Sequence, residues 1–293
     1  MSAPELSLIR NTSLHKLMRP VRVIAVTGGK GGVGKTSVAV NLSAALARRG
    51  RRVVLLDGDL GLANADVLLG LSPNYTLAHV LSGERLLEEV LLATPQGFYL
   101  LPAASGCAEL AQLGPEEHLG LVRAFNTLPL QMDTLIVDTA AGLGHGVLQF
   151  SQAAQHVLIV LCDEPASLTD AYALVKVLNR RHGVSRFQVL ANQMRGEHAG
   201  GQLFERFERV TARFLDVTLE FAGEIPQDEA MRRAVREQRT VLEGYPDSRA
   251  ARGFKNLAAR ADTWAIPEGP RGNIEFFVER LVRVHRTRPV AVS

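Results

Sequence analysis

A chain of 293 residues with 46% hydrophobic content can bury a large core, as one big α/β domain or a domain with appendages. A formal net charge of +3 is too modest for a protein that coats nucleic acid, and no apolar stretch approaches the length of a membrane span. Two cysteines, Cys107 and Cys162, make no disulfide framework and suit a reducing cytosol.

Residues 1–20 lack the apolar core of a secretory signal and are expected to form a loose arm. Leu6, Leu8, Ile9, Leu14 and Leu17 leave open a short docking helix instead. From residue 21 the pattern alternates. A strand at 22–27 leads to a helix at 36–49, a strand at 53–57, a helix at 84–92 and a strand at 98–102. A helix at 115–127 and strands at 134–138 and 156–162 follow, then a helix at 168–181 and a strand at 187–191. The body closes with a helix at 203–214, a strand at 221–225 and helices at 228–236 and 248–263. Strands apolar on both faces, alternating with helices, predict an α/β body over 21–264 with a mostly parallel β-sheet flanked by helices. Ligands bind such sheets beyond the carboxyl ends of the strands.

A Pro/Gly joint at 265–272 opens the last segment, 265–293. There Ile274, Phe277, Val278, Leu281 and Val282 recur at helical spacing, opposite Glu275, Glu279, Arg280, Arg283 and Arg286. Arginines gather at 48–52, at 232–239 and at the C-terminus, where solvated helix ends and loops are the expected reading.

The first strand runs into Gly28, Gly29, Lys30, Gly31, Gly32, Val33, Gly34, Lys35, Thr36 and Ser37, which fit the phosphate-loop spacing G-x-x-x-x-G-K-[ST]. Glycines let successive N–H groups turn inward around a phosphate, and the following helix adds its positive N-terminal dipole. Lys35 neutralises outer phosphates in such a loop, and the Thr36 hydroxyl holds Mg²⁺. Gly29, Gly31 and Gly34 also satisfy the dinucleotide pattern G-x-G-x-x-G, with Asp57 at the end of the next strand. That reading leaves Lys35, Thr36, Asp59 and the strand-ending Asp138 without a purpose. A triphosphate with Mg²⁺ uses them all.

Lys30, inside the glycine run, resembles the signature of the deviant Walker A ATPases, the group of MinD, ParA and the nitrogenase iron protein. Residues 54–70, with Asp57-Gly58-Asp59-Leu60-Gly61-Leu62-Ala63-Asn64, resemble the switch I region of the FlhG/FleN family of flagellar-number regulators. Asp138-Thr139-Ala140-Ala141-Gly142 is similar to that family's switch II. Cys162-Asp163-Glu164-Pro165, the 169–174 segment and 275–282 agree with the same family.

The resemblance implies a Mg²⁺-dependent ATPase in which Lys30 reaches into a second chain's site, so that two chains sandwich two ATP molecules. Asp59 then positions the attacking water, and Asp57 and Asp138 flank the metal. Asn192 and the 225–228 loop, with Pro226 and Asp228, lie on the adenine side. Alternatives stay open for three of these. Asp57 could cap its strand end and pair with Lys30 or Lys35, Asn192 could be a turn residue, and Asp228 could be a helix N-cap. The nitrogenase protein's second cluster cysteine falls at Ala141 here, so a buried thiol is expected rather than an iron–sulfur cluster. The histidines show no metal-ligand spacing; His145, near switch II, is the one to test.

The resemblance further implies a cytoplasmic homodimer with ATP that binds and suppresses a FleQ-type AAA+ transcriptional activator, with the FlhF GTPase as a second partner. The terminal helix would bring it to the inner-membrane surface and the cell pole, or pack back on the body. Rival readings are a MinD-type positioning ATPase, a ParA-type partition ATPase at the nucleoid, and an adaptor that binds nucleotide without hydrolysis. The dispersed arginines speak against direct DNA binding.

Overall fold

A computed structural model describes residues 21–60, 64–103, 114, 120–122, 124–125, 131–196, 198–266 and 276. The arm 1–20, Gly61 to Ala63, Cys107, most of the expected 115–127 helix and the 267–272 stretch lie outside the described residues. So do Ile274, Phe277, Val278, Leu281 and Val282.

The chain alternates as the apolar pattern requires. The first half comprises β1 (Arg22–Thr27), α1 (Lys35–Arg48), β2 (Val53–Gly58), α2 (Ala65–Leu68), α3 (Leu77–Leu81), β3 (Leu92–Ala93), β4 (Tyr99–Leu101) and β5 (Thr134–Thr139). The second comprises α4 (His145–Ala153), β6 (His156–Leu161), α5 (Pro165–His182), β7 (Arg186–Met194), α6 (Ala199–Ala212), β8 (Thr218–Pro226), α7 (Glu229–Arg236), α8 (Val241–Gly244) and α9 (Arg249–Ala261). The strands form one sheet in the order β3-β4-β2-β5-β1-β6-β7-β8, parallel except for the β3–β4 pair.

Both faces of the central strands are buried, because consecutive side chains point to opposite sides. Ile24 and Val26 of β1, Leu55 of β2 and Ile136 of β5 pack beneath α1 and α9. Val23, Ala25, Leu56, Leu135 and Val137 face the other way, toward Phe150 of α4, Phe125 and Phe276. A third cluster joins β6 and β7 to α5 and α6.

Two departures from the sequence reading are instructive. The expected helix at 84–92 is only a 3₁₀ turn, Leu87–Val90, and Leu92 then pairs with Leu100 in the antiparallel ribbon. Leu86, Leu87, Val90 and Leu91 do recur at helical spacing, but only Leu87 and Val90 are buried and Leu92 is drawn into the ribbon, so tertiary packing decides their state. Helix α5 starts at Pro165, earlier than the expected 168, because proline's fixed φ suits the first helical turn.

The arginines near residue 50 are solvent-exposed at a helix end and loop, as expected, and there they also make ion pairs. Arg51 grips Asp262 with Nε at 2.7 Å, Arg22 lies 3.6 Å from the same carboxylate, and Arg52 pairs with Asp133 at 2.7 Å. They tie the amino ends of the central strands to the end of α9 and leave the opposite rim open for a ligand.

Candidate nucleotide-binding site

The carboxyl ends of β1, β2, β5, β7 and β8 converge, and each delivers part of one site. Between β1 and α1 the 28–34 loop wraps the first turn of α1. Gly34 sits at φ +91, where only glycine is comfortable, and a Cβ there would lie 2.5 Å from Asn192 Nδ2. The loop is pinned from behind. Asn192 Nδ2 donates to the Val33 carbonyl at 2.8 Å, Cys162 Sγ contacts the same oxygen at 3.6 Å, and Gly142 N donates to the Gly28 carbonyl at 3.4 Å. The turn after β5 thus touches the 28–34 loop directly.

Lys35 opens α1 and is nearly buried, at 8% exposure. Burial pulls its pKa below the usual lysine value, while the charges of Asp138 and Asp59 push it back up. Asp57 and Asp138 lie directly opposite each other on adjacent strands. Asp57 Oδ1 accepts from Asp59 N at 3.2 Å, and its Oδ2 accepts from Asn64 N and Ala65 N, each at 3.1 Å. It therefore gathers the switch I loop onto the end of β2, and burial still raises it to about 7. Asp57 thus caps its strand end through backbone N–H groups, the first half of the alternative reading, and still lies beside Asp138.

Asp138 is different. It is fully buried, and neither carboxylate oxygen reaches a partner in full hydrogen-bond geometry. Burial and the neighbouring Asp57 drive its pKa well up, opposed by the Thr36 hydroxyl and the Lys35 charge. A buried carboxylate with open oxygens beside a threonine hydroxyl suits a hard divalent cation that keeps most of its own waters. Asp138 and Thr36 therefore fit Mg²⁺, with Asp57 behind them.

Lys30 does not point at this cluster. Its ammonium forms a close ion pair with Glu164 of the same chain, just ahead of α5, and that contact raises its pKa. The loop turns this way because Gly29 lies flat on α5, where a Cβ would come within 2.2 Å of the Asp170 carbonyl.

On the far side of α1 a cavity of about 350 Å³ opens between the ends of β7 and β8 and the α7 helix. Gly34, Ser37, Asn192, Pro226 and Asp228 line it, as the sequence suggested. The Asn192 amide is committed to the loop carbonyl. Asp228 caps α7 by accepting from Ala230 N at 2.9 Å, and its other oxygen accepts from Ala250 N at 3.0 Å. Sequence reasoning missed Gln193, Met231, Val235 and Phe254 on the same walls. Met231 and Val235, four apart on α7, could have been found by helical spacing; Gln193, held at φ +60, gives no such signal. Cys162 is a buried thiol pushed up to about 11 by burial, and His145 is simply the first residue of α4.

Residues 24–241 match the family described as the CobQ/CobB/MinD/ParA nucleotide binding domain. The antiactivator FleN of Pseudomonas aeruginosa is 56% identical over 266 residues, covering 91% of this chain and 95% of that protein. The chain belongs to the CobQ/CobB/MinD/ParA family, in its FleN-like branch. The flagellum site-determining protein YlxH of Helicobacter pylori is 30% identical over 267 residues, covering 89% of this chain and 90% of its own. Among solved structures, the septum site-determining protein MinD from Pyrococcus horikoshii, complexed with Mg-ADP, superposes with a TM-score of 0.71 at 28% identity. That match covers 83% of this chain and 96% of the MinD chain.

Proposed function

We propose that this chain is a slow Mg²⁺-dependent ATPase that switches between a monomer and an ATP-bound dimer. As a dimer it limits flagellar number by holding a FleQ-type transcriptional activator inactive. The observation that carries the reading is the convergence of Lys35, Thr36, Asp57, Asp59 and Asp138 at one rim, beside a loop whose second lysine, Lys30, rests on Glu164. The 56% identity to an antiactivator over nearly the whole chain supports the regulatory half.

Bound Mg²⁺ would neutralise charge on the phosphates of ATP and polarise them toward attack. The chain's own groups do the rest. The loop's N–H groups and Lys35 hold the phosphates, Thr36 and Asp138 hold the metal, and Pro226 with the α7 wall holds the base. Asp59 orients a water through its carboxylate, the acceptor that water attack on a phosphoryl group needs. Lys30 adds a cation from the second chain, so hydrolysis depends on pairing.

The Lys30–Glu164 contact gives that switch a resting position. To cross an interface, Lys30 must leave Glu164, and a triphosphate in the partner is the stronger anion. Asp57 ties switch I to the same event, since its N–H partners Asn64 and Ala65 begin α2.

The 265–293 segment is proposed as a separate tail whose apolar face of Ile274, Phe277, Val278, Leu281 and Val282 binds the inner-membrane surface. Two tails in a dimer would bind far better than one. Among the described residues no helix is long and apolar enough to cross a membrane. Phe276 supports a docked state of the tail. It is fully buried, stacked on Phe150 at 6.3 Å and edge-on to Phe125 at 5.3 Å, and its N–H donates to Ala153 O. The FlhF GTPase is the second proposed partner, at the cell pole. Co-purification of the purified activator with the Asp59→Ala chain, with and without ATP, tests the regulatory reading; capture independent of ATP would contradict it.

A further inference from the structure

The four-residue helix α2 is held at both ends by residues outside it. At its start, Asn64 N and Ala65 N donate to Asp57 Oδ2, each at 3.1 Å, at the phosphate rim. Near its end, the Val67 carbonyl accepts from Gln238 Nε2 at 3.1 Å, 171 positions along the chain. That carbonyl belongs to the last turn, where partners within the helix run out, so a donor from elsewhere steadies it. The amide's orientation follows, since only its N–H end can face a carbonyl. The two segments also fit in shape. Gly70 sits at φ +63, and a Cβ there would lie 3.2 Å from the Gln238 Cβ.

Gln238 is itself in an unusual backbone state, at φ +51, a left-handed conformation that glutamine seldom adopts. Its neighbours hold it there. Gln238 N donates to Val235 O at 3.1 Å and Arg239 N to Ala234 O at 3.0 Å. The Glu237 carboxylate accepts from Arg239 Nε at 2.8 Å and from the Tyr245 hydroxyl at 2.9 Å. Strain of this kind persists only where the surroundings over-determine it, and it gathers at working parts of a protein.

The strained corner ends α7, and α7 is the wall of the cavity of about 350 Å³ proposed to take the base. Met231, Arg232, Val235 and Arg236 face that cavity. Of the eight residues of α7 only Ala234 is buried, and Val235 is 37% exposed. A helix with so little burial gains order when a ligand covers it. The carbonyls of Ala234 and Val235 are the two that hold the Gln238–Arg239 corner. Base cavity, corner and α2 thus make one contiguous path to Asp57 and the loop that carries Asp59.

We infer that Gln238 is a positioning residue: with a base in the cavity it braces α2, and through α2 the loop that carries Asp59. The hydrolytic arrangement then depends on the nucleoside as well as on the phosphates. This rests on the proposed base site and on the proposed role of Asp59.

Hydrogen exchange of the full chain, with and without saturating Mg-ADP, tests it without requiring turnover. The reporters are the amides of Leu68, Leu69, Gly70 and Leu71, which bond back to Asn64, Asp66 and Val67. Gln238→Glu keeps the shape of the side chain and loses the donor. Mg-ADP is expected to slow exchange at 68–71 in the wild type, and Gln238→Glu to cut that slowing by roughly 2–10-fold, the range that one hydrogen bond supports. Protection of the phosphate loop at 34–37 and of α7 at 231–236 is expected to match in the two chains. Thermal melting checks that the variant folds, and Gln238→Ala replaces it if it does not. No slowing at 68–71 in the wild type, or equal slowing in both chains, overturns the inference. So does a variant that also loses protection at 34–37, which would make Gln238 merely structural. Wild-type protection at 34–37 with none at 231–236 would instead refute the base site, and the inference with it. The role of Asp59 is not read by exchange and is tested separately, by turnover of Asp59→Ala.

Discussion

Replacing Asp138 by asparagine should stabilise the nucleotide-free, metal-free chain at alkaline pH. Asp138 and Asp57 are buried neighbours, and burial is the largest cause of the upward shift in both. Asp57 rises from 3.8 to about 7. A carboxyl whose folded pKa lies above its unfolded value keeps its proton longer in the folded state, so stability falls as pH rises through that window and is flat above it. For Asp57 the window from 3.8 to about 7 corresponds to roughly 4 kcal/mol in total, at about 1.4 kcal/mol per unit. Asp138 contributes in the same direction.

Asp138→Asn removes one buried charge and the repulsion it exerts on the other. Its own amide costs on the order of 1–3 kcal/mol if left unpaired, less than an isolated buried charge. The expected net gain at about pH 8 is roughly 1–3 kcal/mol, or about 2–10 °C in melting temperature, shrinking toward zero near pH 4. Urea unfolding of both chains in chelator across this range measures it. A variant no more stable than wild type at pH 8 would refute the picture of an uncompensated carboxylate held for Mg²⁺. The same variant should lose the stabilisation that Mg-ATP gives the wild type.

Lys35→Ala should abolish ATP binding in a filter or calorimetric assay while leaving the melting temperature near wild type, since its buried ammonium is only partly compensated. Glu164→Gln should raise the dimer fraction at limiting ATP by freeing Lys30, read by light scattering; an unchanged fraction would mean that the pair is incidental. Gly34→Ala should cost on the order of 1–3 kcal/mol, because φ +91 strains alanine and its Cβ meets Asn192, and should weaken nucleotide binding with it. Phe276→Ala should cost about 3–5 kcal/mol in urea unfolding, the usual penalty for emptying a buried aromatic site. No loss there would show that the tail does not dock through Phe276.

The central fold was legible because its strands are apolar on both faces and end in chemistry-bearing residues. Strand runs such as 134–138 carry both signals at once: Leu135, Ile136 and Val137 for the core, Asp138 for the rim. Glycine spacing likewise announced the loop, since a turn at φ +91 has few alternatives. What the sequence hid is set by tertiary contacts. Nothing local says that Lys30 rests on Glu164, 134 positions away, or that Asn192 spends its amide on Val33, 159 positions back. Phe276 carried no helical-face signal, because its spacing sets it off the 274, 277, 278, 281 and 282 stripe, and its partners Phe125 and Phe150 are far away in sequence. The helix expected at 84–92 failed for a related reason, as Leu92 is claimed by Leu100 across the ribbon.

The proposed switch turns on Lys30 passing from Glu164 in its own chain to ATP in a second one. The most direct test is the solution mass of Asp59→Ala with Mg-ATP, compared with the same chain carrying Lys30→Ala as well. The expected result is a dimer for Asp59→Ala and a monomer, still binding ATP, for the double variant. A dimer in both, or a monomer in both with ATP bound, would contradict it.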